Sequence, residues 1–306
     1  MKYLYGPVTS RRLGSSLGVD ILPFKTCSFS CIYCQLGRTT RPTAKRRLYV
    51  PEKPVLDEIE KYLTGSGHRP DYITFSGSGE PTLNSGFGNM IDMIKKLTSV
   101  KVAVITNSSL MPDAGVRRAL LKADLVVPSL DAATQSVFEK INRPAEGLQI
   151  SEIIEGIAAF RKDFTGELRL EILLVKGIND TQAELDALKA AVEKINPHSV
   201  DVNTVARPPA DKSAMAVPEQ EVKKIAAFLS PCASAVAPSK GVHHSIPGEA
   251  AEKIVALLKR RPCSFAEICS SLGLETGEAA AALAALSRKG FVANLDGRQD
   301  GFYRAK

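Results

Sequence analysis

From residue 53 to residue 204 the chain alternates between two hydrophobic rhythms. Apolar residues spaced three and four apart mark helices, and short runs rich in β-branched residues mark strands. Val55, Ile59, Tyr62 and Leu63 fall on one face of a helix predicted over 53–64, which Gly65-Ser66-Gly67 stops. Strands are predicted at 17–22, 71–75, 101–106, 124–128, 168–175 and 199–204, and helices at 87–97, 114–122, 134–141, 151–161 and 181–195 fill the gaps. Repeated β-α units imply an α/β fold whose sheet is parallel, with right-handed crossovers. Six units fall short of a closed eight-stranded barrel, so a partial (β/α)6 barrel is expected over residues 1–210. A doubly wound sheet is the alternative that periodicity alone does not separate. In either fold the functional residues belong where strands run out at their C-terminal ends. The first twelve residues are turn-rich and give no clear element.

After residue 210 the pattern changes. A helix around 219–228 leads into a Ser/Ala/Pro-rich connector, so 211–248 is assigned as helix and linker. A small domain is expected over 249–306. Helices fit 249–260, the stretch opened by the capping-box signature Ser264-Phe265-Ala266-Glu267, and 277–289. A hairpin over 291–304 follows, turning at Asp296-Gly297. Three helices and a hairpin resemble a winged helix-turn-helix. The expected recognition helix opens with Glu275, Gly277 and Glu278 and lacks base-reading Arg, Lys, Asn or Gln, which argues against sequence-specific DNA binding. Residues 249–306 carry nine Lys/Arg against seven Asp/Glu, so most of the chain's excess positive charge lies elsewhere. The module is expected to contact protein, to cover the open barrel end, or to support RNA through Arg288, Lys289 and Arg298.

Composition narrows the class. At 306 residues with 44% hydrophobic and 24% charged content, the chain can bury a sizeable core. Met1 to Pro7 shows no apolar signal region, and no run is long enough to span a bilayer, so a cytoplasmic protein with no membrane partner is expected. Six cysteines in a chain this long do not suggest a secreted disulfide framework. The net charge of +7 favours anionic partners. Arg38, Arg41, Lys45, Arg46 and Arg47 stand within ten residues without an acidic neighbour. That run is either a solvated face or a grip for a phosphate-bearing substrate.

The chemistry concentrates in Cys27-Ser28-Phe29-Ser30-Cys31-Ile32-Tyr33-Cys34, a C-x3-C-x2-C loop. Three thiolates this close can hold three irons of a [4Fe–4S] cube and leave the fourth iron open. A structural zinc site would need a fourth ligand at matching spacing, and none appears downstream. Cys232, Cys263 and Cys269 read as ordinary thiols, and His243-His244 as a loop pair. After the second strand, Ser76-Gly77-Ser78-Gly79-Glu80-Pro81-Thr82 lets backbone pass close to a ligand at Gly77 and Gly79, and offers the Glu80 carboxylate to an ammonium group. Glu80 and Thr82 argue against a dinucleotide-binding turn. Asn107, Ser129 and Asp131 follow the third and fourth strands and suit hydroxyl or carboxylate ligands, or else cap the next helices. Lys176 and Asn203, after the last two strands, are weaker candidates.

With Tyr33 directly before the last cysteine, this loop resembles that of the radical S-adenosylmethionine (radical SAM) superfamily. Tyr5-Gly6-Pro7-Val8, Ser10 to Gly14, Lys25-Thr26-Cys27, Cys34 to Thr40, Gly79 to Leu83, Asp131-Ala132-Ala133 and Ile141 to Pro144 further resemble the branch of the wyosine-type tRNA-guanosine synthases. The resemblance implies a [4Fe–4S] cluster on Cys27, Cys31 and Cys34, with SAM on the open iron. It implies that Gly77, Gly79 and Glu80 seat the methionine end of SAM. Asn107, Ser129 and Asp131 would then meet its ribose or carboxylate, and Tyr33 its adenine. A reduced ferredoxin or flavodoxin would supply the electron, and the substrate would be anionic, tRNA or a nucleotide first. Wyosine synthases carry further cysteines upstream, whereas no cysteine precedes Cys27 here. Two other readings stay open: an Fe–S redox regulator acting through the small domain, and a radical enzyme acting on a protein partner docked there.

Overall fold

A computed structural model of the chain describes residues 2–10, 13–65, 69–236, 250–295 and 301–306. Arg11, Arg12, the His243-His244 pair, Arg298 and the turn at Asp296-Gly297 lie outside the described residues.

Eight strands form one sheet whose spatial order is the order of the sequence. They are β1 (Leu4–Ser10), β2 (Gly14–Val19), β3 (Tyr72–Phe75), β4 (Lys101–Thr106), β5 (Leu125–Pro128), β6 (Glu167–Leu174), β7 (Ser199–Thr204) and β8 (Ala233–Ala235). β1 runs antiparallel to β2, and every later pair is parallel. A doubly wound sheet reverses its strand order part-way. The unbroken order found here instead places successive crossovers on one side, as a partial barrel requires. The helices are α1 (Glu52–Gly65), α2 (Phe87–Leu97), α3 (Ala114–Leu120), α4 (Gln135–Ile141), α5 (Ile150–Asp163), α6 (Gln182–Ile195) and α7 (Glu219–Leu229).

Two expectations are extended. The opening residues, which gave no clear element, form edge strand β1, paired to β2 across a register shift between Tyr5 and Val8. The segment set aside as helix and linker continues the sheet: α7 buries Val222, Ile225, Ala226 and Leu229, and β8 pairs with β7. The first parallel strand is Gly14–Val19 rather than 17–22.

The strands show why the sheet curves round a polar lumen. β5 is buried along its whole length, as parallel strands covered by helices are. β6 alternates: Leu168, Leu170, Ile172 and Leu174 are buried toward the helices, while Glu167, Arg169, Glu171 and Leu173 take the half-buried face. On β2 and β3 the Ser16 and Thr74 hydroxyls bond each other at 2.7 Å. The helices supply the apolar outer layer; α2 buries Phe87, Met90, Ile91 and Ile94 in a stripe of helical spacing. Local stops match the chain: the Asp113 side chain caps α3, and Asn196 ends α6 in the left-handed region before Pro197.

The C-terminal residues fold into α8 (Ala250–Leu258), β9 (Cys263–Ser264), α9 (Phe265–Leu272), α10 (Thr276–Arg288), β10 (Val292–Asn294) and β11 (Phe302–Ala305). The three strands form a second sheet in the order β10-β11-β9. The capping box is complete: Glu267 N–H donates to Ser264 Oγ, and Ser264 N–H donates to the Glu267 carboxylate. Gly273 ends α9 at φ 62°. This module has its own core, including Ile254, Leu257, Ile268, Leu272 and Leu283, and its α8 and α9 pack on β1. Among the described residues no helix is long and apolar enough to cross a membrane.

Candidate active site

The cysteine loop leaves β2 and is fastened at many points. Lys25 N–H donates to Ser78 O at 2.7 Å, and Glu80 N–H donates to Thr26 O at 3.1 Å, so the loop and the 76–82 turn hold each other. Ser30 and Ile32 donate to the carbonyls of Asn142 and Ile141, and Asp211 N–H donates to Ile32 O. The contact at Gly79 is so close that a Cβ there would lie 1.8 Å from Thr26 O. Gly77 sits at φ +143°, and a Cβ there would meet the Asp20 carboxylate. The glycines read from sequence as room for a ligand are thus first required by the packing of turn on loop.

Each of the three sulfurs receives a side-chain N–H donor, each from a different segment. Lys25 Nζ donates to Cys34 Sγ at 3.2 Å, Asn107 Nδ2 to Cys27 Sγ at 3.5 Å, and Asn142 Nδ2 to Cys31 Sγ at 3.4 Å. Burial pushes the Cys27 thiol up to about 11 and Cys31 well above the ordinary thiol range. A thiolate is stable in such surroundings only with a cation on its sulfur, and metal coordination deprotonates a thiol outright. Among the described residues no group of three His, Cys, Asp or Glu is arranged around a single metal ion. A cube needs no such convergence, because each cysteine binds a different iron. The donor set therefore fits a cluster held at three corners.

Glu80 is 2% exposed, and its carboxylate is held from several sides. Oε1 accepts from Thr82 N, Thr82 Oγ1 and Thr106 Oγ1, while Oε2 accepts from Asn107 N at 2.6 Å. Burial still raises its pKa, against the pull of those donors. Among the described residues no cation pairs with it, and Oε2 keeps acceptor capacity. A buried carboxylate without a cation is costly, so a cationic ligand group would complete this site.

Asp131 is 4% exposed and carries a second network. Tyr33 OH and Asn142 Nδ2 donate to its Oδ2, and Leu173 N–H donates to Oδ1 at 3.0 Å. Burial pushes its pKa up to about 6, with those hydrogen bonds acting in the other direction. Asn142 therefore touches both Cys31 and Asp131, and Asn179 fixes the backbone here by donating to Asp131 O and Leu173 O.

Two adjoining cavities open on this machinery. A trough of about 350 Å³ follows the strand ends past Cys34, Tyr33, Asp131, Leu173 and Asn203. A chamber of about 370 Å³ enters the lumen between Ser16, Thr74 and Thr106, and is covered by Arg260, Arg261 and Glu267 of the C-terminal module. Cys27, Gly77, Gly79, Ser129 and Arg207 border both.

The residues singled out from sequence divide accordingly. Cys27, Cys31, Cys34, Gly77, Gly79, Glu80, Asn107, Ser129, Asp131 and Tyr33 come together around these cavities. Asn107 differs from expectation in its bonding: Nδ2 donates to Cys27 Sγ and Ser28 Oγ and so holds the cysteine loop, while Oδ1 accepts from the nearby Ser109 N–H. Asn203 lines the trough and donates to Glu171, whereas Lys176 is exposed. Sequence reasoning missed Lys25 and Asn142 as sulfur donors, although both stand inside the quoted resemblance. It also missed Asp20, which accepts from Ser78 N and Oγ, and the three arginines of the chamber. The basic run is partly used internally: Arg46 donates to Thr82 O, lies 4.0 Å from Asp113 and stacks over Phe87, and Arg47 stacks over Tyr49. Arg38, Arg41 and Lys45 remain exposed. All six cysteines are free; Cys263 is buried and Cys232 exposed.

A cysteine loop at the first strand end of a partial barrel, facing a buried carboxylate at the second, defines a class. Residues 21–190 match the model of the radical SAM superfamily, and the chain belongs to that superfamily. Its members work with a [4Fe–4S] cluster and SAM. Among its relatives is a UPF0026 protein of Helicobacter pylori, 34% identical over 267 residues that cover 86% of each chain. It is also 41% identical over 223 residues to a protein of Brachyspira hyodysenteriae named GTPase Obg, covering 73% of this chain but only 33% of that one. The chain thus spans a third of that relative's length. Among solved structures, a radical SAM methyltransferase from Sphaerobacter thermophilus shares the fold with a TM-score of 0.53 at 15% identity, over 70% of this chain and 62% of that one.

Proposed function

We propose that this chain is a radical SAM enzyme that reductively cleaves S-adenosylmethionine and takes hydrogen from an anionic substrate. When bound, the reduced cluster would supply the single electron for breaking the sulfur–C5′ bond of SAM, the chemistry by which hydrogen would be taken from the substrate. Cys27, Cys31 and Cys34 hold the cluster. Lys25, Asn107 and Asn142 steady their sulfurs and make the negative charge easier to carry. Glu80 takes the ammonium group of SAM at Oε2, with Gly77 and Gly79 leaving room for its methionine end. The trough takes the rest of the cofactor: Asp131 and Ser129 offer acceptors to the ribose, and the Tyr33 ring, fixed by its hydroxyl on Asp131, offers a face to the adenine.

The observation that carries this reading is the pairing of three donor-tipped cysteines with a buried carboxylate that has no cation of its own. The finer assignment, a wyosine-like enzyme with tRNA or a nucleotide as substrate, rests on the sequence resemblance and the basic balance of the chain. A reduced ferredoxin or flavodoxin in a reducing cytoplasm would serve as electron donor. The C-terminal module, winged-helix-like in its order of helices and strands, covers the lumen. Glu275 and Glu278 remain exposed at the start of α10, which favours the enzyme over a duplex-binding regulator.

Anaerobic reconstitution, reduction and addition of SAM should yield 5′-deoxyadenosine, and Cys31→Ala should abolish it along with the visible absorbance of the cluster. SAM that neither binds nor is cleaved by protein with an intact cluster would overturn the proposal. Binding of tRNA at low salt, compared with turnover of small metabolites, separates the two substrate classes.

A further inference from the structure

The chamber holds three guanidinium groups that no described contact fully satisfies. Arg207 leaves the strand end after β7 and donates to Gln35 Oε1 at 3.1 Å and Glu267 Oε1 at 2.6 Å. Arg260, just beyond α8, donates to Ala256 O at 2.8 Å and Lys2 O at 3.2 Å, stacks over the Tyr5 ring at 4.9 Å, and lies 3.7 Å from Asp20 Oδ2. The Arg261 guanidinium donates to Ser271 Oγ at 3.2 Å; its charge acts on Glu267, but among the described residues no carboxylate lies within 4 Å of it. In all three the Nε atom is buried without an acceptor. Two carboxylates line the chamber, Glu267 and Glu80, and Asp20 stands against Arg260; Glu80 is held by Thr82, Thr106 and Asn107, and among the described residues none of the three carboxylates lies within 4 Å of Arg261. A buried guanidinium without an anion is costly to maintain.

The position of these groups says what they serve. Arg207 borders both cavities, and the chamber reaches Cys27 and Gly79, so a molecule in it lies beside whatever fills the trough. Its wall toward the sheet is lined by hydroxyls of Ser16, Thr74, Ser76 and Thr106. The size, about 370 Å³, is that of a small-molecule site. Two of its three cations come from the C-terminal module, so the module completes the site as well as covering it.

We infer that the chamber between the barrel and the C-terminal module binds the phosphate or carboxylate group of a small-molecule substrate, with Arg207, Arg260 and Arg261 as its anion-binding residues. This rests on the radical SAM reading for the reaction that follows, but the binding does not require it. Arg261 is the member of the set with no carboxylate in ion-pair contact among the described residues. Arg207 and Arg260 are partly engaged by Glu267 and Asp20 and also clamp the two modules together.

The test is calorimetric titration of the cluster-reconstituted protein with ribose 5-phosphate, with glutarate as the carboxylate arm and ribose as the uncharged arm. At least one anion should bind, and ribose should not. Arg261→Gln should weaken the anion about tenfold or more, as loss of a hydrogen bond to a charged group does. Arg207→Gln, made on the barrel side, should weaken it likewise, so misfolding of the C-terminal module does not decide the result; melting curves establish folding for each variant. Arg41→Gln on the exposed basic run should leave affinity unchanged. The inference is overturned if neither anion binds more tightly than ribose. It is equally overturned if a folded Arg261→Gln or Arg207→Gln variant binds like the parent, or if only Arg41→Gln weakens binding. Cys31→Ala should keep anion binding while making no 5′-deoxyadenosine, so failure of the radical reading and failure of this one are told apart.

Discussion

The trough and the chamber share a wall, and the chamber's far wall is built on the opposite plan. Along the trough and on the sheet side of the chamber, polar groups are tied down by their neighbours: Asp131 in the trough by Tyr33, Asn142 and Leu173, and Glu80 in the chamber by Thr82, Thr106 and Asn107. Against the chamber's opposite wall, three arginines from two modules keep unsatisfied Nε atoms, and Arg261 has no carboxylate within 4 Å among the described residues. The difference teaches where the fold is finished and where it awaits something. Satisfied networks fix geometry, and unsatisfied cations mark the place of a ligand.

The shared wall offers the largest test. Gly79→Ala would drive a methyl group into Thr26 O, so a loss of about 3 kcal/mol is expected, the upper end for overpacking. Urea denaturation should show it, together with weaker binding of both SAM and ribose 5-phosphate. Loss of SAM binding alone would mean that the turn shapes only the trough. A narrower cut is Asn142→Leu, which removes the N–H donor from Cys31 while leaving all three cysteines in place. Hydrogen bonds to cluster sulfurs raise the reduction potential, so the midpoint in an EPR-monitored redox titration should become more negative. Ribose 5-phosphate affinity should not move, because Asn142 does not line the chamber. An unchanged midpoint would remove Asn142 from the redox machinery.

The smallest effect is expected at the rim. The Ser213 N–H and then the Arg143 guanidinium hold the Asp211 carboxyl down to about 2, from 3.8. A carboxylate with a depressed folded pKa contributes stability above its unfolded value and loses it as pH falls toward the folded one. Asp211→Asn should therefore be the less stable protein above about pH 4 and should converge with the parent as pH falls toward about 2. A gap that stays constant with pH would mean that the Arg143–Asp211 pair adds nothing to the anchoring of the cysteine loop.

What was legible in the sequence follows the same division. The cysteine spacing, the Ser76–Thr82 turn and the residues after each strand are local signals, and the parallel sheet gathers them at one end as periodicity implies. Lys25 and Asn142 were within the familiar runs, but their role as donors depends on distances across the fold. The sequence pattern did not reveal β1, because its apolar residues pair with β2 and serve as a floor for another module. Arg207, Arg260 and Arg261 carried no motif at all. They meet only because the last loop of the barrel and the end of α8 are brought together through contacts far apart in the chain. Arg46 shows the reverse case, a residue conspicuous in a charge run that the structure spends on Thr82, Asp113 and Phe87.

The packing of α8 and α9 on β1 joins two segments about 240 residues apart in sequence. A ribosome releases Leu4–Ser10 before the rest of the barrel and Ala250–Leu272 only after β8 has emerged. Domains fold largely as they are made. The newborn barrel therefore has its lumen uncovered until α8 and α9 emerge, and assembly of the iron–sulfur centre has an open doorway up to that moment.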